Sequence, residues 1–225
     1  MLAYDKKTAL RHVKKADPTL ASVIEAAGPF DIEPRGGAFK SLARAVFFQQ
    51  LAGAAARAIM GRVLARLETD EERWYEPARF LQATDEELRA AGLSRQKIRY
   101  LRDLCEKFGS GELSENEFND LDDEAVIERV TLVKGIGRWT AEMFLMFSLG
   151  RPDVLPVDDL GVRRGMEVTY GLKELPKPDR RREIAEPWRP YRSVGTWYMW
   201  RALGVDVPEQ GRGYKKDGAE GAPGI

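Results

Sequence analysis

The 225-residue sequence predicts an all-α protein, and three observations carry that prediction. Apolar residues recur at spacings of three and four through most of the chain, as one face of a 3.6-residue helix requires. Residue types that start helices stand ahead of several of these stretches. No sustained alternation of apolar and polar residues supports a sheet. Val154–Val157 is the only short β-like stretch, and Pro156 interrupts it.

Asp17-Pro18 reads as an N-cap followed by proline at the first helical position, separating a helix over Lys6–Ala16 from one over Pro18–Ala27. His12, the chain's single histidine, has no catalytic partner pattern and reads as a surface residue. Val46, Phe47 and Leu51 lead into Ala54, Ala58, Ile59, Val63, Leu64 and Leu67 at helical spacing. Thr84 with Glu87, and Ser114 with Glu117, fit the capping box. Ser94 suits an N-cap followed by a surface lysine at Lys97, and Ile98, Leu101, Leu104, Cys105 and Phe108 form the apolar face that follows. Helical patterns over Glu124–Val130 and Arg138–Leu149 flank Gly135-Ile136-Gly137. About ten helices with short connections result. They make one domain over residues 1–208, and the Gly-, Lys- and Asp-rich segment 209–225 reads as a flexible tail.

Composition narrows the function. A hydrophobic share of 43% is enough for a core and excludes disorder of the whole chain. No run approaches the ~18 apolar residues of a membrane span, and the first residues lack an apolar signal core, so a soluble cytoplasmic protein is expected. One cysteine, Cys105, rules out a disulfide framework, a cysteine zinc site and a four-cysteine iron–sulfur cluster. Lys+Arg and Asp+Glu both number 36, which at first argues against a nucleic-acid partner. The charge is uneven, however. Residues 1–67 carry a net +6, residues 68–128 a net −10 and residues 129–216 a net +6. Acidic helices with a solvated outer face would explain this, and so would two basic segments converging on one surface.

The stretch LVKGIGRWTAEMFLMFSLGRPDVLPVDDLGVRRG, residues 132–165, decides the matter. Two glycines between helices permit a tight turn and close approach of another group. The helix after them presents unpaired N–H groups and a positive dipole end, an anion site that needs no charged side chain. A Gly-x-Gly between helices is by itself an ordinary turn. The sequel of an apolar helix, then Pro156-Val157-Asp158, then Leu160-Gly161-Val162-Arg163, gives it weight.

Here the chain resembles the helix-hairpin-helix DNA glycosylases, in particular the compact form of the 3-methyladenine DNA glycosylase II group. The likeness runs through most of residues 38–204, including FKSLARAVFFQQLAGAAARAI and GLSRQKIRYLRDL. It implies two helical lobes with a DNA-facing cleft, and excision of alkylated, cationic purines from duplex DNA to leave an abasic site. The family's catalytic aspartate follows a Pro-x-Asp context that maps to Asp158, whose carboxylate would stabilise an oxocarbenium charge. Read without the resemblance, Asp158 or Asp159 serves equally as an N-cap for the helix beginning near Leu160. Members that also cut the strand carry a lysine where this chain has Trp139, so the likeness implies no lyase step.

The resemblance also implies the remaining site residues. Trp139 and Trp200 map to an aromatic base pocket that would favour a cationic base, with Met143 and Phe47 beside them. Stripes of this kind are otherwise core. Leu51 and Gln50 map to the wedge that fills the gap left by an extruded base, although a core leucine and a capping glutamine fit the pattern as well. DNA phosphates would meet Gly135, Gly137, Lys134, Arg138 and Arg163. Main-chain carbonyls of Thr131, Val133 and Ile136 would hold a monovalent cation, and no cofactor is required. The implied partner is damaged double-stranded DNA, met by a monomer without a membrane. The longer bacterial members carry an N-terminal β-rich domain for which this chain has no counterpart, so their substrate range is not carried over. A catalytically silent DNA-binding protein, and a glycosylase for another damaged base, stay open as alternatives.

Overall fold

The computed structural model describes residues 2–34, 36–71, 73–74 and 76–204. The proposed tail over 209–225 lies outside the described residues. Among those described, twelve α-helices and two short 3₁₀ turns form the chain, with no strand. Val154–Val157 forms no strand, and Val157 already lies in a turn.

The helices are α1 (Lys6–Ala16), α2 (Pro18–Ala27), α3 (Ala38–Phe48), α4 (Gly53–Arg66), α5 (Pro77–Gln82) and α6 (Asp85–Ala90). They continue as α7 (Arg95–Gly109), α8 (Asp123–Thr131), α9 (Arg138–Phe147), α10 (Leu160–Thr169), α11 (Pro178–Ala185) and α12 (Arg192–Arg201). The start signals explain most boundaries. The Asp17 carboxylate accepts the Leu20 N–H at 2.9 Å, Thr84 and Glu87 close a full capping box, and Ser94 accepts the Lys97 N–H at 3.2 Å. Ser114 and Glu117 do not form a capping box. The 3₁₀ turn Glu117–Asn119 starts after Asn116, and the Glu117 carboxylate instead takes Arg129 at 3.1 Å.

Packing divides the helices into two sets. α3 packs on α4, α7 and α9; α5 and α6 lie on α7, and α8 pairs with α9. The chain's two ends make the other lobe, in which α12 packs on α10, α2 and α1. Every residue from Ser193 to Trp200 is buried, so α12 is enclosed on all sides. A glycine makes the closest of these crossings feasible: a Cβ at Gly165 of α10 would lie 2.2 Å from the Met199 carbonyl oxygen of α12. His12 is not a free surface group. It is half-buried, with its ring edge-on to Tyr191 at 5.4 Å. No helix among the described residues is long and apolar enough to cross a membrane.

Candidate active site

The turn before α10 sets the site. Because α10 starts at Leu160, the residue that caps it is Asp159. Its Oδ1 accepts the Val162 N–H at 2.7 Å and the indole N–H of Trp200 at 2.8 Å, while Oδ2 accepts the indole N–H of Trp139 at 2.7 Å. Asp159 is only 8% exposed. The sequence candidate Asp158 lies outside this niche. That side chain is 89% exposed and turns outward, 3.8 Å from Nη1 of Arg181. One step before the cap, its carboxylate has no orphan helix N–H to accept. Arg181 is itself buried and donates to the Val157 carbonyl, tying α11 to the same turn.

Trp200 reaches the carboxylate because Gly161 leaves room. A Cβ there would come 2.6 Å from Cδ1 of Trp200. Trp200 is fully buried and stacked on Phe147 at 6.0 Å, so it stands behind Asp159 and does not line the open pocket. Trp139 does line it, with one ring edge bonded to Asp159 and 39% of the residue exposed.

The pocket, of about 110 Å³, opens between α3 and α9. Leu42, Phe48, Trp139, Met143 and Phe144 give it apolar walls, and Gln49 and Gln50 form its rim. Phe47, expected here, is buried on the other side of α3 and packs edge-on against Trp74 at 6.3 Å. Its neighbour Phe48 takes the pocket position. After α3 the chain turns sharply: Gln50 is exposed with φ +55°, and Leu51 is half-buried against the core. Gln49 Nε2 donates to the Gly135 carbonyl at 2.8 Å, fastening this turn to the hairpin.

In the hairpin, Gly135 has φ +81°, and a Cβ on it would fall 2.1 Å from Cδ2 of Tyr100. Both facts call for glycine. Gly137 is exposed, and it caps α9 with no side-chain hydrogen bond to the helix's first N–H groups. The cations expected at phosphates are already partnered, apart from one. Lys134 donates its backbone N–H and its Nζ to the buried Asp103, at 2.9 and 3.1 Å. Arg138 bonds Glu124 at 2.5 Å and Glu142 at 3.2 Å. Arg163 is half-buried, and its Nε has no partner among the described residues. Burial pushes the Glu142 carboxyl up to about 7, with Arg138 opposing the shift and Asp158 adding to it. The Val133 carbonyl accepts the Ile136 N–H at 3.1 Å, closing the turn that also carries the Thr131 and Ile136 carbonyls.

A Gly-x-Gly hairpin stands beside a small aromatic pocket whose Trp139 is bonded to a buried carboxylate, the arrangement of a helix-hairpin-helix protein. The chain belongs to the HhH-GPD superfamily of base excision DNA repair proteins, whose model matches residues 43–190. It is 37% identical over 164 residues to DNA-3-methyladenine glycosylase 1 of Schizosaccharomyces pombe, a match covering 72% of this chain and 71% of that one. The crystal structure of a DNA-3-methyladenine glycosidase from Bacillus halodurans superposes with a TM-score of 0.79 at 38% identity, covering 88% of this chain and 89% of the other. The S. pombe 3-methyladenine DNA glycosylase Mag1, in complex with abasic DNA, gives 0.75 at 32% identity, with 88% and 97% covered.

Proposed function

We propose that the protein is a DNA glycosylase that extrudes an alkylated, cationic purine from duplex DNA and hydrolyses its N-glycosidic bond, with Asp159 as the working carboxylate. The observation that carries this reading is the triple N–H ligation of Asp159 next to a pocket walled by Trp139. An alkylated purine already bears positive charge, so the electron pair of the C1′–N bond can leave with the base without strong acid catalysis. The face of Trp139 favours such a base by cation–π attraction. As the bond breaks, positive charge grows on the sugar, and a fixed carboxylate stabilises it. Water then adds at C1′ and gives up a proton, leaving an abasic site.

Three further parts belong to the same reading. Trp139 stands where strand-cutting relatives need an amine nucleophile, which supports hydrolysis without a lyase step. The partner is damaged double-stranded DNA bound by a monomer. Its phosphate meets the open N–H groups at Gly137, with Lys134, Arg138 and Arg163 around it, while Gln50 and Leu51 fill the gap in the stack. Carbonyls of Thr131, Val133 and Ile136 are hard oxygen donors at the end of α8 and fit a monovalent cation. Val133 keeps a second lone pair beside its turn hydrogen bond. Such a cation would add positive charge beside the phosphate site.

The test is chromatography of bases released from a methylated duplex, followed by alkaline cleavage at abasic sites. Release by the wild type, none above background with Asp159→Asn, and no borohydride-trapped adduct is the expected result. DNA binding without any released base would leave a silent DNA-binding protein instead.

A further inference from the structure

Sequence periodicity places Lys97 on the surface of α7, yet it is half-buried and its Nζ donates to the Phe47 carbonyl at 2.6 Å. That carbonyl belongs to the last turn of α3, where helix carbonyls lack intrahelical partners and the dipole end is negative. The contact sits directly before the segment that matters most for extrusion. Phe48 walls the pocket, Gln49 bonds the hairpin, and Gln50 and Leu51 make the turn at its rim. The same face of α7 meets the hairpin farther along. Tyr100 covers Gly135, and Asp103 holds Lys134 through both its nitrogens. Residues 97, 100 and 103 recur every three positions, so one helical face touches the wedge turn at one end and the hairpin at the other.

We propose that Lys97 is a positioning residue for base extrusion, holding the end of α3 so that the Gln49–Leu51 turn keeps a fixed distance from the hairpin that grips the strand. This rests on the glycosylase reading above. Burial lowers the Lys97 ammonium to about 8, which accords with an amine committed to one carbonyl away from water. Without it the C-terminal turn of α3 loses a cationic cap, and the wedge gains freedom. Asp159 and the α9 wall of the pocket stay as they are, because Lys97 touches neither.

The experiment compares Lys97→Met and Lys97→Gln with the wild type on the same alkylated base in two settings, fully paired and in single-stranded DNA. Extrusion costs a few kcal/mol only in the first, so Lys97→Met should lose about tenfold or more in single-turnover rate on the duplex and less than about twofold on the single strand. Lys97→Gln, which keeps a donor, should recover part of the loss. Fluorescence of a 2-aminopurine placed at the target position gives a readout without catalysis, and its rise on binding should be smaller for Lys97→Met. Equal losses on both substrates, or none on either, overturn the proposal. Should Lys97→Met not fold, the duplex-to-single-strand ratio of Lys97→Gln decides it by the same criterion. A wild type that releases no base from either substrate refutes the glycosylase reading itself, which separates the two failures.

Discussion

The niche around Asp159 and the hairpin around Gly135-Ile136-Gly137 are joined by α9, yet they are built in opposite ways. The niche is closed: a buried carboxylate takes three N–H donors from α9, α10 and α12, and a missing side chain at Gly161 makes the fit possible. The hairpin is open. Its cap, Gly137, is exposed and no side chain caps the helix behind it, and Lys134 and Arg138 rest on nearby carboxylates. A group that must stabilise charge at one atom gains from being fixed beforehand, whereas a surface that meets any DNA sequence needs only uncovered donors and cations able to exchange partners. The near-neutral composition is consistent with the second design.

The contrast can be broken at either end. The largest effect is expected at the niche, where Asp159→Asn should lower the rate of base release by about 10³ or more, while Asp158→Asn stays within about threefold. Parallel single-turnover assays decide this, and the reverse order would restore Asp158 to the site. Trp200→Phe keeps an aromatic ring but removes one donor to a buried carboxylate, so kcat should fall about 10- to 100-fold with little change in KM. At the hairpin the response should be milder. Lys134→Ala should weaken DNA binding a few-fold and reduce the salt slope by about one, leaving the rate at saturating DNA unchanged.

The smallest effect concerns the helix between the two regions. The Glu142 carboxyl, pushed up to about 7, is harder to ionise in the folded protein than in the unfolded chain, where its ordinary value is 4.5. The ionised form therefore costs stability. That cost is absent below about pH 4.5, grows as pH rises and is complete above about 7. Glu142→Gln should raise Tm by a few degrees at pH 8 and flatten its dependence between about pH 5 and 7, as thermal melts across pH would show. No gain at pH 8 would mean that Arg138 compensates the burial in full.

Much of the fold was legible because helix starts are local. Asp17-Pro18, Thr84 with Glu87, and Ser94 announce α2, α6 and α7 in single short motifs. Ser114 and Glu117 carry the same spacing without the outcome, since Glu117 is drawn to Arg129 on α8, a partner that spacing along the chain cannot reveal. At the site, the hairpin and Trp139 stood out in the sequence, while the choice between Asp158 and Asp159 did not. The cue was present: a helix beginning at Leu160 makes Asp159 its cap. Phe47 and Phe48 are likewise adjacent aromatics whose faces are settled only by what α3 packs against. Lys97 and Asp103 were invisible as site residues because their partners lie 50 and 31 positions away.

The two indole donors to Asp159 come from different lobes, Trp139 from α9 and Trp200 from α12. A carboxylate shared in this way is also a latch. If the lobes part, Oδ2 loses the Trp139 indole while Oδ1 keeps Val162 and Trp200, and the hairpin keeps its own bonds. Under the proposed function, catalytic competence would report closure of the whole protein, and a molecule sprung open on DNA would still hold the strand without attacking it.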